Sequence, residues 1–310
     1  MANPKDRPKR PKLAPLTSTR VATYLPDNSL RHGYMSLFSD IARELLENRW
    51  LTFQLFKRDM FAFYKQSLLG VFWVVFVPLV TVGTFVMLRG SGVVAAGEMT
   101  TPYPIYAGVG VAIWQLFSQG LVSGANSLVS GGEMITRINF SKKSLIIASL
   151  GRTVVSFLVV VLLLVGLFVH FSLQGFQPYF GIGSVLFVVS LLPLVLLTVG
   201  LSFVLALLNG IVRDIGTMLS MVLTLLLLLT PVLYERPALA PDAGTLPRML
   251  DTVTGLNPLY YLVVGPRDLL LQGQLSDPRG FFIASAVATV TFLIALVGFH
   301  LTETRIAERI

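Results

Sequence analysis

Arg152 is the one clear charge well inside an otherwise apolar run, and the chemistry open to a guanidinium there is the binding of an anionic group such as a phosphate. It lies about 10 Å past Leu145 at helical rise, so snorkelling back to the nearer headgroups is the competing use of the same side chain. The other side chains able to recognise a ligand are aromatic: Phe72, Trp73 and Phe76, then Tyr103, Tyr106, Trp114 and Phe117, then Tyr179 and Phe180. Such rings stack on the apolar CH faces of pyranoses, and they also pack helices and sit at headgroup level. Trp73 and Phe76, three residues apart, share one face of a helix. Equally informative is what is missing. No Asp or Glu falls inside any long apolar run, His32, His170 and His300 lie in the N-terminal arm or at run edges, and there is no cysteine. Acid–base catalysis, carboxylate-coupled ion transport and thiolate metal sites therefore lack their residues. No Gly-rich phosphate-binding loop followed by Lys-Ser/Thr occurs either, so energy for uphill work must enter through another polypeptide.

The elements that must position these residues are membrane helices. Of the 310 residues 54% are apolar and 13% charged, and the mean hydropathy is +0.74, far from the roughly 25% charged of a soluble domain. Six runs, 67–88, 107–129, 145–171, 181–208, 216–233 and 281–302, are long enough to cross a hydrocarbon core of about 30 Å. The expectation is an all-α, polytopic chain with six transmembrane helices. Of 24 Lys and Arg, 19 fall in the N-terminal segment, the second and fourth inter-span loops with the start of span three, and the tail. The positive-inside rule then places both termini in the cytoplasm. The net charge of +8 is that same bias and calls for anionic headgroups rather than nucleic acid.

Four segments follow. Residues 1–32 form a basic, proline-rich cytoplasmic arm, and 33–66 form an amphipathic interface helix with the approach to the membrane, because Leu37, Phe38, Ile41, Ala42, Leu45 and Leu46 recur at helical spacing opposite Asp40, Arg43, Glu44 and Glu47. Residues 67–302 form the transmembrane domain, and 303–310 a cytoplasmic tail. The loop 126–143 carries Met134, Ile135, Ile138 and Phe140, the apolar knobs a short helix presents to a groove on a partner or packs beneath its own bundle. On the outer side, 234–280 holds two short amphipathic pieces that lie on or re-enter the outer leaflet. Gly120 and Gly124 permit close helix approach, within or between protomers. Pro78, Pro193 and Pro231 mark kinks.

In order along this layout stand Arg58-Asp59 with Tyr64-Lys65-Gln66-Ser67-Leu68-Leu69-Gly70, Trp73 and Pro78-Leu79; Trp114 and Phe117; Asn126-Ser127-Leu128 through Ile135, Ile138 and Phe140; Arg213-Asp214; Thr230-Pro231-Val232 with Tyr234; and Asn257-Pro258-Leu259. The series resembles the type-2 ABC exporter permeases that move cell-surface polysaccharides: the O-antigen, teichoic-acid and capsule exporters. The resemblance implies a homodimer in the bacterial cytoplasmic (inner) membrane with two copies of a separate P-loop ATPase below, which bind the ATP and Mg, leaving this chain without a cofactor. It makes 133–140 a coupling helix and implies ATPase docking through Glu133, Ile135, Arg137, Ile138, Phe140, Glu44 and Glu47. A lipid-linked polysaccharide would pass Trp73, Phe76, Trp114, Phe117 and Arg152, with an outer-face gate at Pro231, Tyr234, Tyr260 and Tyr261. Members often carry a proline soon after the coupling phenylalanine, whereas this chain reads Phe140-Ser141-Lys142-Lys143. The rival readings are a type-2 exporter of another substrate (capsule, teichoic acid, lipid or drug), a membrane glycan-modifying transferase, which the missing carboxylates disfavour, and a passive channel, which would leave the docking surface without a purpose.

Overall fold

The computed structural model describes residues 34–65, 71–92, 101–132, 134, 140–234, 236 and 244–306. Two compact units result: Met1–Ser39, whose described part is the start of the first helix, and Asp40–Ile310. The helices are α1 (Tyr34–Glu47), α2 (Arg49–Lys65), α3 (Val71–Gly90), α4 (Tyr103–Ser130), α5 (Lys142–Leu173), α6 (Ile182–Ser190), α7 (Leu192–Ile211), α8 (Asp214–Leu229), α9 (Thr245–Leu256), α10 (Pro258–Leu271) and α11 (Pro278–Ile306). Among the described residues there is no strand. Among the described residues five helical stretches are long and apolar enough to cross a membrane: α3, α4, α5, α6 continued by α7, and α11. Helix α8 is equally apolar but shorter.

Helix α4 is the centre of the bundle, with α5 and α7 against it and α11 against α7. Its composition explains the position, since glycine and alanine let neighbouring backbones approach. A Cβ on Gly124 would lie 2.3 Å from Ser202 Oγ, and one on Gly120 would lie 2.7 Å from Thr198 Cγ2. The small-residue pair is thus used within one chain, against α7. On the far side of α7, Gly200 meets the Phe292 backbone of α11 in the same way.

Two expected spans are interrupted, both at proline. The run 181–208 is broken at Leu191 between α6 and α7, with proline in the opening turn of α7, where its missing N–H leaves no bond unmade. The run 216–233 is helical only to Leu229. Pro231 cannot continue the ladder, and Thr230, Val232 and Leu233 turn inward and are buried. At the other end, α5 starts at Lys142, so two lysines fall in its first turn.

Helix α1 buries Ile41 and leaves Leu46 exposed. A turn at Asn48, whose Nδ2 donates to the Glu44 carbonyl at 2.8 Å, separates it from α2. Helix α2 lies on α5, with the Phe56 ring over Gly151. The Asn257 side chain caps α10 by accepting from the Leu259 N–H at 3.0 Å. Leu262 and Val263 of that helix are fully buried, against α4, α6 and α11.

Candidate functional site

Helices α3, α4, α5 and α8 line an open cleft of about 540 Å³. Trp73 stands on the α3 wall, Trp114, Ser118, Gln119 and Ser123 on the α4 wall, Arg152, Thr153 and Ser156 on α5, and Ser220 and Thr224 on α8. Each position follows from helical period: 220 and 224 are one turn apart, as are 119 and 123, so the polar residues of each helix fall on a common stripe. The Arg152 guanidinium is half-buried and donates from Nη2 to Ser123 Oγ at 3.0 Å. Thr224 and Ser220 donate to their own helix carbonyls, which leaves hydroxyl lone pairs facing outward. Thr153 Oγ1 has no hydrogen-bond partner among the described residues. The cleft therefore combines one fixed cation, several hydroxyls and an amide with two indoles. That set can hold an anionic group and hydroxylated rings, and it holds no base or nucleophile in a catalytic arrangement.

Of the five expected pathway residues, Trp73, Trp114 and Arg152 line this cleft. Phe76 sits on the exposed face of α3, stacked on Phe72 at 5.0 Å and edge-on to Trp73 at 5.6 Å. Phe117 is fully buried beside Trp114. One turn of α4 separates Trp114, largely buried yet lining the cleft, from Phe117, which does not line it.

The expected docking residues are placed in part. Glu133, Ile135, Arg137 and Ile138 lie outside the described residues. Phe140 is half-buried just before α5, Glu47 is exposed, and Glu44 is turned toward α5. The Lys143 ammonium, with no exposed side-chain surface, bonds Glu44 Oε2 at 2.9 Å and also Glu303 Oε2 of α11. Next to it, the Lys142 N–H donates to Glu303 Oε1 at 2.5 Å and its Nζ to the Glu303 carbonyl at 2.8 Å. Burial alone would raise the Glu44 carboxyl, but the Lys143 ammonium bonded to it holds it below the ordinary value. Sequence reasoning missed this bridge. Its only signal was that Lys142-Lys143 and Glu303 flank apolar runs on the same side of the bundle.

The expected gate residues gather around the turn after α8. Tyr103 donates to the Leu233 carbonyl at 2.8 Å and Tyr106 to the Tyr234 carbonyl at 3.3 Å. Asn257 donates to Thr230 Oγ1 at 2.9 Å. Arg267, buried and also unforeseen, donates from Nη1 to the Val232 carbonyl at 3.0 Å while its guanidinium covers the Tyr106 ring at 3.9 Å. Pro231 and Tyr234 line a smaller cavity of about 230 Å³ with Arg236 and Asp251. The Arg236 hydrogen bond holds the Asp251 carboxyl below its ordinary value. Burial pushes the Tyr234 and Tyr260 phenols up, with Arg236 beside Tyr260 opposing. Tyr261 donates to the Gly255 carbonyl at 2.9 Å, pinning α10 to α9.

Comparison with known proteins gives this geometry a context. The model of a family described as ABC-2 type transporter matches residues 51–271. The O-antigen export system permease protein RfbA of Myxococcus xanthus is 26% identical over 274 residues, covering 87% of this chain and 99% of that protein. Two Klebsiella pneumoniae proteins of the same name are 24% and 22% identical, over 71% and 81% of this chain and 79% and 91% of their own lengths.

Proposed function

Because this chain belongs to the ABC-2 type transporter family, we propose that it is the transmembrane permease subunit of an ATP-driven exporter of a lipid-linked, O-antigen-like cell-surface polysaccharide. The named function of the similar proteins supports the substrate class. The observation that carries it is the cleft, where Trp73, Trp114 and Arg152 converge with hydroxyl-bearing residues. Indoles stack on sugar rings, and a guanidinium in a partly dehydrated cleft matches the phosphate that links a glycan to its lipid.

The chain sits in the bacterial inner membrane as a homodimer, with both termini cytoplasmic and two ATPase subunits bound to α1 and the 133–140 loop. Helix α8 serves as the fifth of six crossings: its 16 residues cover about 24 Å, and the buried turn at 230–233 completes the passage. The turn with its tyrosine staples forms the outer gate. ATP and Mg bind the partner subunit.

Loss of this chain is expected to abolish surface glycan and leave lipid-linked glycan on the cytoplasmic face. Trp73→Ala, with complex assembly intact, is expected to slow export up to about tenfold, since one ring contact is worth about 0.5–1.5 kcal/mol. Phe76→Ala, outside the cleft, should have less effect. The readout is surface glycan against lipid-linked precursor in the same cells. Normal export without the chain would refute the assignment.

A further inference from the structure

The Lys143 bridge joins three elements that are far apart in sequence, and its chemistry suits transmission better than stability. A buried ion pair contributes little beyond what an apolar replacement of similar volume would, yet it fixes geometry, because charge and hydrogen-bond direction allow few arrangements. Here one ammonium holds a carboxylate of α1 and a carboxylate of α11, and its neighbour Lys142 holds the second oxygen and the backbone carbonyl of the same Glu303. The start of α5 is thereby tied to both. Ser141 makes no side-chain cap for α5, so the Glu303 carboxylate supplies that acceptor from another helix. Phe140 lies two residues before α5, so a displacement of the preceding loop reaches the lysines first.

A metal reading of the same residues does not compete. Glu44, His300 and Glu303 can bring ligand atoms within 4.8 Å of one another, but the Lys143 Nζ already bonds both carboxylates and places a positive charge where a cation would sit.

We propose that Lys143 is a positioning residue that couples the docking face to the bundle: its bridge to Glu44 and Glu303 makes the interface helix α1, the entry of α5 and the end of α11 move as one body when the partner ATPase acts. This rests on the reading of α1 and the 133–140 loop as the docking face. Arg152 then moves with the bridge, because it lies on the same helix about 14 Å further along at helical rise.

The test reconstitutes the full complex with its ATPase in vesicles and measures ATP hydrolysed and glycolipid translocated in the same sample, together with co-purification of the two subunits. Lys143→Met is expected to keep the complex and its hydrolysis while translocation per ATP falls by at least about fivefold. Glu303→Gln, which keeps the shape and a hydrogen-bond acceptor, should shift the ratio in the same direction, and Lys143→Arg should preserve it. Phe203→Leu, which loosens the Phe203–Phe299 contact between α7 and α11, controls for simple destabilisation and should leave the ratio unchanged. An unchanged ratio in Lys143→Met, an equal fall in Phe203→Leu, or loss of the ATPase from both charge variants would overturn the proposal. A wild-type chain that binds no ATPase would instead refute the docking reading itself.

Discussion

Gly124→Val is expected to yield no stable, monodisperse protein, although the substitution adds only apolar atoms to a membrane helix. A Cβ at 124 would run into Ser202 Cβ, an atom whose position is set by its backbone and that no side-chain rotation can move away. Overpacking of this kind costs about 1–3 kcal/mol or more, and here it acts on the contact between the central helix and α7. Gly124→Ala should lower the melting temperature less, and Ser202→Gly in the same chain should restore much of the loss by removing the opposing Cβ. Gly166, with nothing within 4 Å of its Cβ position, should accept valine without penalty. Size exclusion and thermal melting in detergent read the series. An unchanged melting temperature for Gly124→Val would mean that α4 and α7 do not meet as described.

The second large effect is expected at Arg267. Removing its guanidinium in Arg267→Met strands the Val232 carbonyl in a part of the bundle where Val232 has no exposed surface. It also uncovers the Tyr106 ring. A hydrogen bond from a charged donor is worth about 1.5–3 kcal/mol, and a cation over a desolvated ring about 2 kcal/mol. Residues 230–234 should therefore lose their protection from hydrogen exchange, while α4 keeps its own, and export should fall with them. Arg267→Lys, which keeps the charge but not the planar fork, should recover part of both. Unchanged protection at 230–234 would show that the tyrosines alone hold the turn.

The membrane helices were legible because a continuous apolar run leaves the chain few alternatives; the runs at 107–129, 145–171 and 281–302 lie within α4, α5 and α11. What escaped was decided by partners distant in sequence. Pro231 marks a kink in the sequence, but the path of the chain beyond it is held by Tyr103, Tyr106 and Arg267, which satisfy the carbonyls of 232–234 from α4 and α10. The Gly120 and Gly124 pair announced close approach and was silent about the partner, since Thr198 and Ser202 are ordinary residues in their own stretch of sequence. Trp114 and Phe117 look equivalent on paper, and both are buried; only the positions of α3, α5 and α8 around α4 give Trp114 an edge on the cleft and leave Phe117 none. The Lys143 bridge was invisible for the same reason, because its two carboxylates come from helices at opposite ends of the chain.

Photo-crosslinking bears most directly on the central claim that the cleft is the substrate's route. A photoreactive amino acid at Gln119, which lines the cleft, should capture lipid-linked glycan in membranes from exporting cells, and Arg152→Ala should reduce that capture. The same probe at Leu162, 72% exposed on the outside of α5, should capture bulk phospholipid and no glycan. Glycan captured equally at both positions, or at Leu162 alone, would contradict the account.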